Sequence, residues 1–217
     1  MNNAEYWDHR YKKGIGPGSG SKGRLAAFKL KVVQDIVDTY KVKSIADVGC
    51  GDGSQLMALK VDEYKGFDVS NWAIARAIVA AGLRSKWEYF EMDEEAVTEP
   101  NQADMAVSLD VIPFLDEKHF KRHLDMLFHL SRRYVLIYAP NRDAKGLRLA
   151  SHMHFRQFVP VVKELFKLAP VFHVPNEHPA EQIRGRIKPD TSFAEFYLFD
   201  MESKKRKRRT KNERTTQ

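Results

Sequence analysis

The sequence predicts an α/β protein with a doubly wound, mostly parallel seven-stranded sheet and helices on both faces. Three observations carry this. Short apolar runs alternate with amphipathic segments from residue 44 onward. A turn rich in glycine follows the first run directly. The last two runs have no helical pattern between them, so one of that pair is antiparallel.

The chain has 217 residues, enough for one domain with a full core. Hydrophobic residues make up 43% and charged residues 30%, the balance of a globular chain rather than a disordered one. The single cysteine, Cys50, rules out an internal disulfide framework and fits a reducing compartment. No apolar run approaches the roughly 18 residues of a membrane span, and Met1-Asn2-Asn3-Ala4-Glu5 does not open a signal peptide. The expectation is a cytoplasmic monomer or homodimer with no membrane partner. Residues 1–203 form its one domain, with N-terminal helices and a glycine-rich loop over 1–40.

The net charge of +7 is unevenly placed. Residues 201–217 hold eight basic and two acidic residues, against 28 and 27 in residues 1–200. The body is nearly neutral, and residues 204–217 read as a disordered basic tail because they lack apolar residues. A run such as Lys204–Lys211 reads as a solvated extension, a nucleic-acid tether or a nuclear-localisation-like signal. Any nucleic-acid binding through it would be strongly salt-dependent.

Helices are expected over 4–12 and 24–40, where Leu25, Phe28, Val32, Val33, Ile36 and Val37 recur at three-and-four spacing. Between them residues 14–23 are half glycine and read as a flexible loop. Strands are expected over 44–48, 64–67, 87–91, 103–109, 134–139, 170–175 and 192–200, with helices over 54–60, 71–82, 117–130 and 155–168. Residues 176–192 form a long loop carrying Arg184, Arg186 and Lys188, suited to an anionic ligand or to a solvated face.

The most informative stretch is Asp47-Val48-Gly49-Cys50-Gly51-Asp52-Gly53. Glycine is needed where a backbone turns sharply or a ligand touches the main chain, and the expected helix beyond would add unpaired N–H groups. A dinucleotide loop has Gly-x-Gly-x-x-Gly spacing. Here the spacing is Gly-x-Gly-x-Gly, and Asp47 and Asp52 would repel a pyrophosphate. The pattern suits a ligand with cationic groups and no phosphate, which argues against a nicotinamide-dependent oxidoreductase. Phosphate loops of the Gly-Lys-Ser/Thr type are absent.

Further acids close the following runs. Asp68, 19 residues beyond Gly49, stands where a strand-end carboxylate accepts from ribose hydroxyls, although it could instead cap the helix near Asn71. Met92-Asp93 and Leu109-Asp110 end the third and fourth runs. Asp110 fits the cofactor side, the substrate side or a helix cap. Cys50 has no neighbouring cation to activate it and reads as a small loop residue. His152 and His154, two residues apart, could supply a general base or could be surface or capping residues. No carboxylate or cysteine completes a metal set around them, and none is expected. His173 and His178 read as turn residues.

Taken in order, these motifs resemble the class I S-adenosylmethionine-dependent methyltransferases over residues 5–200. Asp47–Gly53 is similar to their first motif, Gly66-Phe67-Asp68-Val69-Ser70 to the second, Asp93 to the third-strand acid and Leu109-Asp110-Val111-Ile112 to the fourth. Tyr6-Trp7-Asp8-His9-Arg10-Tyr11 resembles the entry helix that closes over the cofactor in bacterial members. The resemblance implies an antiparallel last strand and S-adenosyl-L-methionine as cofactor. It places the cofactor's methionyl part over Gly49, Cys50, Gly51 and Gly53, and its ammonium near Asp47. Asp68 would hold the ribose, Met92 and Asp93 the adenine, Leu109 or Asp110 the sulfonium side, with Trp7 and Tyr11 closing above, and Val69 of the second motif would also contact the cofactor. Asp110, His152 and His154 are the catalytic candidates.

Asp110-Val111-Ile112-Pro113 departs from the Asp/Asn-Pro-Pro-Tyr/Phe sequence of amino-methylating DNA enzymes. The expected activity is methyl transfer to a small-molecule or glycan acceptor. A nucleic-acid methyltransferase tethered by the tail is the alternative, and a non-catalytic S-adenosylmethionine-binding module is a third reading.

Overall fold

The computed structural model describes residues 3–92, 99–183 and 186–203. Asp93, Arg184 and the tail 204–217 lie outside them. Two N-terminal helices, α1 (Asn3–Lys12) and α2 (Gly23–Tyr40), precede β1 (Ser44–Val48), β2 (Glu63–Asp68), α3 (Asn71–Ala81), β3 (Trp87–Glu91) and β4 (Ala103–Leu109). There follow α4 (Glu117–Leu130), β5 (Ser131–Pro140), α5 (Phe158–Phe166), β6 (Phe172–Val174), a short hairpin of β7 (Gln182–Ile183) and β8 (Arg186–Ile187), and β9 (Ala194–Asp200).

Seven strands form one sheet in the order β3-β2-β1-β4-β5-β9-β6. β9 enters antiparallel between β5 and β6, so the last strand of the chain is the reversed one. Period-two alternation divides the core. Ala46, Val48, Val135 and Ile137 face α4 and α5, while Ile45, Val107, Leu136 and Tyr138 face the apolar stripe of α2. Each fully buried Val, Leu, Ile or Phe contributes about 1.5–3 kcal/mol, and β1 is buried at all five positions. Ser70 caps α3 by accepting from the Ala73 amide at 3.2 Å, and Asp116 caps α4 by accepting from the His119 amide at 2.9 Å.

Three segments differ from expectation, the first being residues 176–192, expected as a loop, which hold the β7–β8 hairpin. Residues 54–60 are a chain of tight turns, not a helix. Their amides reach back three residues, Gly53 to Cys50, Leu56 to Gly53 and Leu59 to Leu56. That pattern gives a three-residue turn, not the four-residue ladder of an α-helix. The glycine loop therefore has no helix N-terminus behind it. Residues 14–23 contain a short 3-10 turn at Ser19–Ser21.

Candidate functional site

The carboxyl ends of β1, β2 and β4 converge at the switch point of the sheet, where β1 lies between β2 and β4. A cavity of about 640 Å³ opens there. Its floor begins at the loop after β1. Gly49 and Cys50 donate their amides to the Phe67 carbonyl at 2.7 and 3.0 Å, tying the loop to β2. Gly49 and Gly51 have φ of +87° and +58°. A Cβ at Gly51 would overlap the Tyr11 hydroxyl, and one at Gly49 would overlap the Val111 side chain. Only glycine permits this backbone and this approach.

Asp68 joins the two loops. Its Oδ2 accepts from the Gly51 amide at 2.8 Å and its Oδ1 from the Ser70 amide at 2.9 Å. The carboxylate's lone pairs exceed the backbone amides that approach it, Val69 among them, which leaves acceptor capacity for a ligand hydroxyl. Burial raises the Asp68 carboxyl to about 6, and the amides of Ser70 and Gly51 oppose that rise. Ser70 also draws in α1, because its hydroxyl donates to Asp8 Oδ1 at 2.9 Å and the Trp72 amide donates to the same oxygen at 3.3 Å. This docking brings Trp7 and Tyr11 to the cavity wall. Tyr11 is buried, and burial with the nearby Asp68 pushes its hydroxyl well above the usual tyrosine range.

Asp110, at the end of β4, adopts φ +61° while its amide donates to the Tyr138 carbonyl at 2.9 Å. Its Oδ2 meets the Lys29 ammonium at 2.7 Å, and Lys29 is fully buried. His152 is exposed at the rim, with Nε2 3.3 Å from the Tyr6 hydroxyl and its ring parallel to Phe114.

Of the residues singled out by sequence, Trp7, Tyr11, Gly49, Gly51, Asp68, Val69, Met92, Leu109, Asp110 and His152 line the cavity. Asp47, Cys50, Gly53 and His154 do not line it. Asp47 is buried and accepts from the Tyr64 hydroxyl at 2.6 Å through Oδ2, while its Oδ1 has no partner. Burial raises it to about 7, against the pull of the Tyr64 hydrogen bond. Cys50 is buried, and burial pushes its thiol well up, with Asp68 adding to the shift. His154 is exposed and donates its amide to the Pro113 carbonyl at 2.6 Å. Asp93 lies outside the described residues.

Sequence reasoning passed over several wall residues. Gln55 lines the cavity with a buried Oε1 that has no partner, and Lys29, fully buried behind the wall, holds Asp110 from outside the cavity. His123, also on the wall, is buried on α4 with Nε2 2.8 Å from Ser108 Oγ, and burial lowers it to about 4, so it is neutral at physiological pH. Among the described residues no cluster of three His, Cys, Asp or Glu could hold a metal. No helix among them is long and apolar enough to cross a membrane.

No family model and no curated protein matches the chain. Solved structures do. The N-methyltransferase NodS from Bradyrhizobium japonicum WM9, bound to S-adenosylhomocysteine, matches with a TM-score of 0.69 at 16% identity over 92% of this chain and 98% of that one. Magnesium protoporphyrin IX methyltransferase from Synechocystis PCC 6803, also with S-adenosylhomocysteine, gives 0.64 at 14% identity over 91% and 97%. The methyltransferase domain of a bacterial CtHen1 gives 0.63 at 20% identity over 82% and 100%. The chain therefore has the fold of the class I S-adenosylmethionine-dependent methyltransferases.

Proposed function

We propose that the protein is an S-adenosylmethionine-dependent methyltransferase acting on a small-molecule or glycan acceptor. One observation carries this reading: Asp68 ties the β1 and β2 loops together at the wall of a cavity that continues past Asp110. The residues present fit the cofactor. Asp68 keeps acceptor capacity at the cavity wall for ribose hydroxyls, Met92 offers apolar surface to a purine, and Leu109 stands beside Asp110 towards the sulfonium, whereas Asp47, the residue expected to take the ammonium, is buried off the cavity. The acidic groups at this end disfavour a pyrophosphate.

When bound, S-adenosylmethionine supplies a methyl group already activated for in-line displacement by a nucleophile. The chain's own task is then to align the acceptor and exclude water, which accounts for about 7–11 kcal/mol of barrier lowering in well-oriented reactions. Trp7 and Tyr11, held by the contact of Asp8 with Ser70, form the wall that covers the loop. Asp110 offers an oxygen acceptor inside the cavity, fixed in direction by Lys29. His152 stands at the rim as a second group able to take a proton from an acceptor.

The test is release of S-adenosylhomocysteine from S-adenosylmethionine on pooled small-molecule, glycan and RNA acceptors, by the full chain and by residues 1–203. Turnover on a small molecule or glycan that survives removal of 204–217 is expected. Turnover on RNA alone, lost at moderate salt with the tail removed, would assign the nucleic-acid alternative. Cofactor binding with no turnover on any pool would leave a binding module.

A further inference from the structure

The cavity changes character along the sheet. Over β1, β2 and β3 its wall is the glycine loop with Asp68, Val69 and Met92. Past Asp110, over the ends of β4 and β5, the wall becomes rings. Trp7 meets Phe114 edge to face at 5.2 Å and 85°. Phe114 lies parallel to His152 at 5.8 Å and 14°. Phe155 and Phe193 meet at 6.2 Å and 83°. None of these five rings is fully buried, and all five line the cavity. The Arg142 guanidinium lies over Phe193 at 4.4 Å and that of Arg10 over Trp7 at 5.5 Å; the partly exposed rings gathered inside the cavity are surface for a ligand to cover, and ring faces favour flat partners.

The charged groups of this half narrow the choice. Arg10 donates to the Gly16 carbonyl and the Tyr6 hydroxyl, and Lys188 is paired with Glu181 at 2.8 Å, so both side chains are already engaged by the protein. Asp110 is different. Its backbone is held left-handed, a buried ammonium engages Oδ2, and the side chain keeps 25% of its surface open on the cavity. A buried lysine is costly unless it is paired. Here the pair aims one carboxylate at the junction between the two halves.

We propose that the acceptor is a small flat aromatic molecule bearing a hydroxyl or amino donor, stacked among Trp7, Phe114, His152, Phe155 and Phe193 and donating to Asp110. The claim rests on the methyltransferase reading above, and in it Lys29 is the positioning residue for the carboxylate. A cavity of about 640 Å³ has room for such a ring beside the cofactor.

The experiment is calorimetric titration of the full chain, saturated with S-adenosylhomocysteine, with four probes: a naphthol, the matching methoxynaphthalene without the donor, ethanolamine, and a single-stranded RNA oligonucleotide. The naphthol should bind about tenfold tighter than its donorless analogue, the ratio expected for one hydrogen bond to a charged group. Phe114→Ala should weaken both aromatic probes about tenfold. Asp110→Gly alone strands the Lys29 ammonium and risks the fold, so the donor preference is tested in the Lys29→Met/Asp110→Gly double variant, which suits the left-handed backbone and leaves no side-chain acceptor, and there it should vanish. Preferred binding of ethanolamine or RNA, or naphthol binding indifferent to both variants, overturns the proposal. S-adenosylhomocysteine is titrated first on the same sample. Its failure to bind sinks the methyltransferase reading, whereas product bound without naphthol sinks only the aromatic acceptor.

Discussion

Asp47 and Asp68 carry the site's electrostatics, and burial raises both, to about 7 and about 6. The ordinary aspartate value is about 3.9. Between that value and 7 the folded chain therefore holds more protons than the unfolded chain, and its stability falls as pH rises. The contribution is fully present below about pH 4 and lost through pH 7. For Asp47 it amounts to about 4 kcal/mol at most, taking 1.36 kcal/mol per unit. Asp47→Asn, which keeps an acceptor for Tyr64, should gain stability relative to the parent at pH 8 and lose that advantage by pH 4. Urea melts of both proteins across that range check it. Ligand hydroxyls donating to Asp68 favour its ionised form, so affinity for S-adenosylmethionine should rise from pH 5.5 to pH 8, and less so in Asp68→Asn. Asp68 was legible in the sequence because its position relative to Gly49 is fixed by chain geometry. Lys29 was legible too, but unread: it sits four residues from both Leu25 and Val33, inside the apolar stripe of α2. A lysine at a stripe position marks a buried pair, and its partner became visible only when β4 placed Asp110 beside it.

At the level of elements, α1 is a cap whose fit depends on a missing side chain. Gly51→Ala should destabilise the protein by about 1–2 kcal/mol from its left-handed backbone alone, and more because the new Cβ meets the Tyr11 hydroxyl. Tyr11→Phe removes that hydroxyl, so the double variant should recover part of the loss, a positive coupling that a double-mutant cycle measures. Asp8→Ala should loosen α1 without touching the sheet, because it removes two hydrogen bonds to the start of α3. Each is worth about 1 kcal/mol. Amide exchange should then accelerate in Asn3–Lys12 and stay unchanged in β1 and β4. Strands and helices with a strong period were readable from the chain. The helix expected over 54–60 was not there, because Gly53, at φ +72°, and three-residue hydrogen bonds turn the backbone tightly. A short apolar stretch after a glycine loop satisfies both a helix pattern and a series of turns, and only the backbone hydrogen bonds decide between them.

Across the whole molecule, strand order converts separate motifs into one site. The chain order alone implied a parallel sheet with one reversed strand near its end. Insertion of β9 between β5 and β6 completes it. The ends of β1 and β2 then bring the acids together, the ends of β4 and β5 bring the rings, and β1 beside β4 joins the halves into a single cavity. The ring-lined half was hidden in the sequence because Trp7, Phe114, Phe155 and Phe193 come from four separate segments with no shared motif. The central claim is that the acid half holds S-adenosylmethionine. The most direct test is calorimetric titration of the purified chain with S-adenosylmethionine, S-adenosylhomocysteine and a nicotinamide dinucleotide, alongside Asp68→Ala with its fold verified by circular dichroism. The account predicts binding of the first two, at least about tenfold weaker in the variant, and none of the dinucleotide. No binding of either sulfur compound, or a preference for the dinucleotide, would contradict it.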